Sequence, residues 1–273
     1  MFDSAVYVGG LSSQLLGRRP VLMDEAVSTN ICAAERLSSK DAGEIIVIAE
    51  RQTGGRGRGG RPWASPPYVN IAASVAWKMP DGFNKPGLVT AAAGAALAES
   101  ALHFCGVAAR IKYPNDLYIG GKKAGGILVE RKVCDGAAWA VIGTGVNVNT
   151  ELWMLPPELA DSATSIMIEK GAPVSREKFM ADYVSRLEKL LQGLSRGEFE
   201  NIIATCKRLS LVLNREVTVE DGVETIRGVA MDIDETGALM VKTETGEIRR
   251  IISGDTSLSP RNFRLVEAVT GEV

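Results

Sequence analysis

The 273-residue chain is 45% hydrophobic and 23% charged, which places it among ordinary globular proteins able to bury one sizeable core plus a small second domain. Its 31 basic and 33 acidic residues nearly cancel, so a surface built wholly for nucleic acid is excluded and any anion is bound locally. Cys32, Cys105, Cys134 and Cys206 lie far apart without a CxxC pair, which points away from zinc and disulfides and towards reduced, packed thiols in a cytoplasmic protein.

Residues 1–20 form a polar opening without a basic segment followed by a long apolar one, so no targeting leader is expected. No stretch is expected to reach the length of a membrane span. "DEAVSTN" ends in three capping residue types ahead of Ile31, Ala34 and Leu37, which predicts a helix capped by Ser28, Thr29 or Asn30. The β-branched run "EIIVIAE", residues 44–50, predicts a buried strand, and "NIAASVAW", residues 70–77, a second. Residues 87–104 are an alanine-rich buried helix. A dense series follows: "ARIKYP", "DLYI", a Gly120-Gly121 hairpin, "KAGGILVERK", a turn at residues 134–136 and "AAWAVIGTGVNVN". This is a mixed sheet with few helices.

Residues 150–174 read as a polar, proline-bearing loop. A helix over 175–194 places Phe179, Tyr183, Leu187, Leu190 and Leu191 on one face, and another covers 197–207. From about 211 the composition shifts to short strands separated by Asp-Gly and Thr-Gly turns, which predicts a small β-barrel of roughly fifty residues. The fold class is therefore α+β, with a boundary near 208–213 and no internal repeat.

"RQTGGRGRGGRPW", residues 51–63, packs four arginines and five glycines behind a strand. Gly55, Gly57 and Gly60 formally spell the dinucleotide fingerprint, but Arg61-Pro62-Trp63 and Ser65-Pro66-Pro67 cannot open the helix it needs. A disordered RGG-type RNA binder would be longer and repetitive. An anion-binding loop remains, with glycine amides approaching an oxyanion and arginines supplying charge, set against a plain solvated basic loop. Residues 111–130, "IKYPNDLYIGGKKAGGILVE", favour the former. Pro114 fixes the exit of Asn115 and Asp116 ahead of a hairpin bearing Lys122 and Lys123, and the glycines after them suggest a close approach by ligand or backbone.

"STN" at 28–30, "AERQTGGRGRGGRPW" at 49–63, "KYPNDLYIGGKKAGGILVE" at 112–130 and "GTGVNVN" at 143–149 resemble, in order and spacing, the motifs of biotin protein ligases. The resemblance spans roughly residues 20 to 265 and implies a mixed-sheet catalytic domain of the biotin/lipoate ligase type over 20–207, then an SH3-like barrel over 211–267. It implies that biotin and ATP, with magnesium, form biotinyl-5′-AMP, and that the biotinyl group passes to a lysine of a biotin carboxyl carrier protein. Ser28, Thr29, Asn30 and Gln52 would line the biotin pocket, with Arg56, Gly57, Arg58, Lys123, Gly125 and Gly126 around biotin and the adenylate. Lys123 would meet the reacting carboxylate and α-phosphate. Arg58, Trp63, Lys112, Asn115, Lys123 and Asn147 would serve ATP, with Trp63 flanking adenine. Two positions depart from the pattern: Gly54 stands where alanine is usual and Tyr113 where tryptophan is.

The chemistry agrees. A carboxylate ionised at pH 7 attacks an α-phosphate without a general base; what it needs is cations that bring two anions together. That suits a chain whose one histidine, His103, is expected in the core of the alanine-rich helix. Asp116 is a candidate base or orienting group for the acceptor amine, and equally a stabiliser of the Asn115 turn. The competing readings are a lipoate–protein ligase and, from another class, a nucleic-acid-binding or biotin-responsive regulator. The 27 residues before Ser28 are too few for a helix-turn-helix domain, so no nucleic acid and no membrane are expected as partners, while a homodimer is compatible.

Overall fold

The computed structural model describes residues 1–38, 45–220 and 223–258. Helix α1 (Ser4–Gly10) starts where the Asp3 carboxylate accepts hydrogen bonds from the amides of Ala5 and Val6. Strand β1 (Arg19–Ala26), helix α2 (Thr29–Glu35) and strand β2 (Ile45–Gln52) follow, with β1 and β2 paired in parallel. Neither α1 nor β1 is apparent in the polar opening. The rest of the sheet is antiparallel: β3 (Ile71–Lys78), β4 (Arg110–Lys112), β5 (Asp116–Ile119), β6 (Lys122–Cys134) and β7 (Ala137–Val146) complete the order β1-β2-β3-β7-β6-β5-β4.

Two long helices cover one face of this sheet. Helix α3 (Pro86–Cys105) has proline in its first turn and ends at Gly106, whose φ of 72° supplies the left-handed cap. Helix α5 (Arg176–Ser195) is capped by the Ser175 hydroxyl, which accepts from the Lys178 amide. Between them Leu88, Leu97, Phe179, Leu187 and Leu191 are fully buried, each contributing about 1.5–3 kcal/mol. Composition alone would let α3 cross a membrane, contrary to the expectation that no stretch reaches that length; its apolar surface is spent on the core. His103 is also corrected. It is exposed, next to exposed Leu102, in the last turn of α3.

Arg176 opens α5 beneath the sheet and meets Glu50 of β2, Nη1 to Oε2 2.5 Å, with both side chains over 90% buried. Glu50 also accepts from the Phe2 amide, and Arg176 donates to the Asn70 carbonyl at 3.1 Å. Burial opposes the charge on Glu50, but hydrogen bonding and attraction from Arg176 outweigh it and hold the carboxyl below its ordinary range. The cysteines are free, and burial pushes the Cys105 thiol up to about 11 and Cys206 up to about 12, as packed thiols require.

The 150–174 segment is less loop-like than expected: it holds tight helical turns at Leu152–Met154 and Pro157–Leu159 and a short helix, α4 (Ile166–Lys170). Helix α6 (Glu200–Leu209) then leads to β8 (Glu216–Glu220), β9 (Thr225–Ile233), β10 (Leu239–Thr243), β11 (Ile248–Ile251) and β12 (Asp255–Leu258). These five strands form an open antiparallel sheet in the order β11-β10-β9-β8-β12, so the expected SH3-like barrel is overturned. Among the described residues the edge strands β11 and β12 do not pair with each other. Backbone acceptors where the chain leaves β11 go elsewhere: the Tyr113 hydroxyl lies 2.9 Å from the Ile251 carbonyl and 3.2 Å from that of Ile252. Residues 259–267 of the expected module lie outside the described residues.

Candidate active site

The sheet face away from α3 and α5 carries α2 and a cavity of about 210 Å³. Alternation along β7 explains why the cavity opens there. Gly143 and Gly145 face it, whereas Thr144 points into the core, its hydroxyl 2.9 Å from that of Tyr183. A Cβ at Gly143 would collide with the Asn30 amide, and one at Gly145 would come within 2.7 Å of the Trp63 indole. Glycine is thus required for two side chains to lie flat on the strand.

One end of the cavity is lined by uncharged polar groups joined in a hydrogen-bond network. Ser28 is the N-cap position of α2, so Thr29 and Asn30 occupy its first turn. The Gln52 carbonyl oxygen accepts from the Thr29 amide at 2.8 Å and from the Thr29 hydroxyl at 3.1 Å. Asn30 donates to the Leu128 carbonyl at 3.2 Å and to Glu130 at 2.8 Å, while Ser74 donates to Asn30 Oδ1 at 2.6 Å. Gly143→Ala therefore forces Asn30 out of this network. Asn30 is buried and makes three of these hydrogen bonds, so the variant should lose on the order of 1–3 kcal/mol in urea unfolding, and the double variant Gly143→Ala, Asn30→Ala, in which the clash is absent, should recover part of that loss.

The other end is cationic. The Arg/Gly segment forms a tight loop: the Gly57 amide donates to the Arg61 carbonyl at 2.7 Å, the Trp63 amide to Gly55 at 2.9 Å, and Gly59 and Gly60 take φ of 65° and 76°. No helix of dinucleotide type follows. Arg58 reaches Asn115 Oδ1 at 3.4 Å, and Lys123 lies 2.7 Å from Asp116 Oδ1 and 5.6 Å from the centre of the Trp63 ring. Lys123 is further fixed through its backbone, whose amide donates to Ser162 and whose carbonyl accepts from Thr164, both at 2.9 Å.

Of the residues singled out from sequence, Ser28, Thr29, Asn30, Gln52, Arg56, Gly57, Arg58, Trp63, Asn115, Asp116, Lys123, Gly126 and Asn147 line this cavity. Gly125 and Lys112 do not. Gly125 turns towards the Gly145 backbone, where a Cβ would meet the carbonyl oxygen at 2.9 Å. Lys112 lies 5.3 Å from the Tyr118 ring centre; burial is the largest influence on its amine and lowers its pKa, against the carboxylates of Asp116 and Asp255. Gly54 packs on Val27, where an added Cβ would sit 3.0 Å from Val27 Cγ1. Ser74, Gly143, Gly145, Arg61 and Asp255 were not foreseen. For the glycines a signal existed: two glycines two apart on one strand leave one face bare.

Residues 26–147 match the Biotin/lipoate A/B protein ligase family and residues 212–259 the Biotin protein ligase C terminal domain. The chain is 30% identical over 250 residues to the bifunctional ligase/repressor BirA of Bacillus spizizenii, covering 91% of this chain and 77% of that protein. It is 31% identical to the biotin–(acetyl-CoA-carboxylase) ligase of Mycobacterium tuberculosis, covering 84% of this chain and 87% of the relative. The solved Aquifex aeolicus biotin protein ligase in complex with biotin and ATP superposes with a TM-score of 0.76 at 27% identity, covering 89% of this chain and 99% of that one. A mixed sheet with a cationic loop over a polar cavity is thus the fold and site of a ligase of the biotin and lipoate type. Within that class, the chain belongs to the biotin protein ligase family.

Proposed function

We propose that the chain joins biotin to ATP, releasing pyrophosphate, and passes the biotinyl group from biotinyl-5′-AMP to a lysine of a biotin carboxyl carrier protein. The observation that carries this is one cavity with the Thr29–Asn30–Gln52 network at one end and Arg58 and Lys123 at the other. The amide and hydroxyl groups suit a neutral ureido ring, and the cations suit a carboxylate meeting a phosphate. A carboxylate oxygen attacks the α-phosphorus as the pyrophosphate oxygen leaves; then the lysine amine attacks the acyl carbon and AMP departs. Arg58 and Lys123 stabilise the charge that gathers in the first step. Asp116, in contact with Lys123, positions that amine. Trp63, Asn115 and Asn147 serve the nucleotide side, and Ser28, Arg56, Gly57 and Gly126 complete the wall.

Magnesium fits as an ion that arrives with the nucleotide. Among the described residues no cluster of three metal-binding side chains exists, and the cavity offers only Asp116 and Asp255 as carboxylates, so phosphate oxygens and water would hold it, neutralising the leaving pyrophosphate. Residues 20–207 form the catalytic unit and 211–267 a second module in this proposal. A cytoplasmic setting with free thiols, action without nucleic acid or membrane, and a possible homodimer belong to it as well. Intact-mass analysis of a carrier domain incubated with the protein, biotin, ATP and magnesium should show one biotinyl addition; an unchanged mass on every carrier tried sinks the reading.

A further inference from the structure

Asp255, the first residue of β12, joins the cavity wall from nearly two hundred positions further along the chain than the arginine loop, the separation recorded between Arg61 and Asp255 being 194. Its Oδ1 lies 3.7 Å from Arg58 Nη1 and its Oδ2 is ion-paired with Arg61. The carbonyl just before it, Gly254 O, accepts from Arg58 at 3.1 Å. Both arginines at the mouth of the cavity are therefore answered by an anion and a dipole of the C-terminal sheet. Phosphates entering beside Arg58 carry the sign of that carboxylate, and the two compete for the same guanidinium hydrogens.

The contact is built to exchange. The Asp255 side chain is 36% exposed and that of Arg61 66%, and Ile252 and Ser253, which lead into Gly254, are exposed. The sheet itself stays anchored without Asp255: the Tyr113 hydroxyl holds the Ile251 and Ile252 carbonyls, and Thr256 donates to the Tyr113 carbonyl at 2.5 Å. Rotation of one short carboxylate towards solvent frees both arginines while the backbone keeps its place.

Resting on the ligase reading, we propose that Asp255 is a positioning residue that stands in for the nucleotide's phosphates, holding Arg58 and Arg61 at the cavity mouth until ATP displaces it. It thereby weakens ATP binding while keeping the arginine loop in a folded, ready state. Asp255→Asn keeps the shape and the Gly254 bond but removes the competing charge. Partly exposed ion pairs are individually weak, so the KM for ATP should fall roughly three- to tenfold, with the change confined to KM.

The test is steady-state pyrophosphate exchange on the parent, Asp255→Asn and Asp232→Asn. Asp232 makes a 2.7 Å ion pair with Lys207 across the same junction but away from the cavity, so its loss should leave KM unaltered. A role confined to docking the sheet would move both variants alike. An ATP KM in Asp255→Asn that is unchanged or raised overturns the proposal. If the parent makes no adenylate from biotin, the ligase reading fails separately, and calorimetry with inorganic pyrophosphate decides: tighter binding to Asp255→Asn than to parent supports the stand-in, and equal binding rejects it.

Discussion

Arg58→Ala and Lys123→Gln should each lose about 10²–10³ of the rate of biotin-dependent ATP–pyrophosphate exchange while remaining folded. That assay needs no carrier protein and so isolates the step at which two anions meet. Lys123 is held by Asp116 at its tip and by residues 162 and 164 through its backbone, so its amine is placed before substrate arrives. A donor fixed in this way stabilises transition-state charge without reorganising, which is why its removal costs far more than an exposed ion pair's. Lys122 supplies the contrast. Adjacent on β6, it points to the opposite side of the strand and is absent from the cavity wall, so Lys122→Gln should exchange at nearly the parental rate. Equal rates for all three variants and the parent would falsify the assignment of this cavity as the site of adenylation.

The largest stability effect should come from Arg176→Met. This change leaves Glu50 buried without its partner, and breaking one side of a buried ion pair costs about 3–5 kcal/mol. Urea unfolding should reveal that loss, and the double variant Arg176→Met, Glu50→Gln should recover much of it, because no orphaned charge then remains. The pH dependence has a definite sign. Glu50 titrates below its ordinary value of 4.5 in the folded protein, so its contribution is complete above that value and disappears as pH falls through the folded pKa. In Arg176→Met the favourable contact is gone, and protonation of Glu50 should relieve rather than harm the fold. A variant as stable as the parent at neutral pH would show that water reaches Glu50 and the pair is not the clamp described.

Elements whose signals are local were legible in the sequence. The apolar runs of β2 and β3, the long alanine-rich α3 and the hairpins between β4 and β7 all lie where composition puts them. Strand β1 escaped notice because it is an edge strand whose Arg19, Leu22, Asp24 and Glu25 are exposed, which erases the alternation a half-buried strand would show. The open C-terminal sheet could not be foreseen either: strand count and turn residues are the same for a closed barrel, and closure depends on where distant carbonyls such as those of Ile251 and Ile252 find donors. In the site, the cations and amides announced themselves by type. Ser74 did not, because a serine in a buried strand says nothing of the asparagine it will meet 44 positions away.

The two glycines of β7 beneath the cavity have an evolutionary reading. Where a pocket is floored by side chains, trimming one deepens it and admits a longer ligand. Here Asn30 and Trp63 lie directly on the backbone of Gly143 and Gly145, so any side chain added at those positions pushes them up into the pocket. A slip of β7 by one residue offers no escape, since it would turn Thr144 into the pocket and break its contact with Tyr183. Changes on β7 can therefore only crowd the pocket, and room for bulkier ligands in descendants of this chain must come from Asn30, Trp63 or the rim.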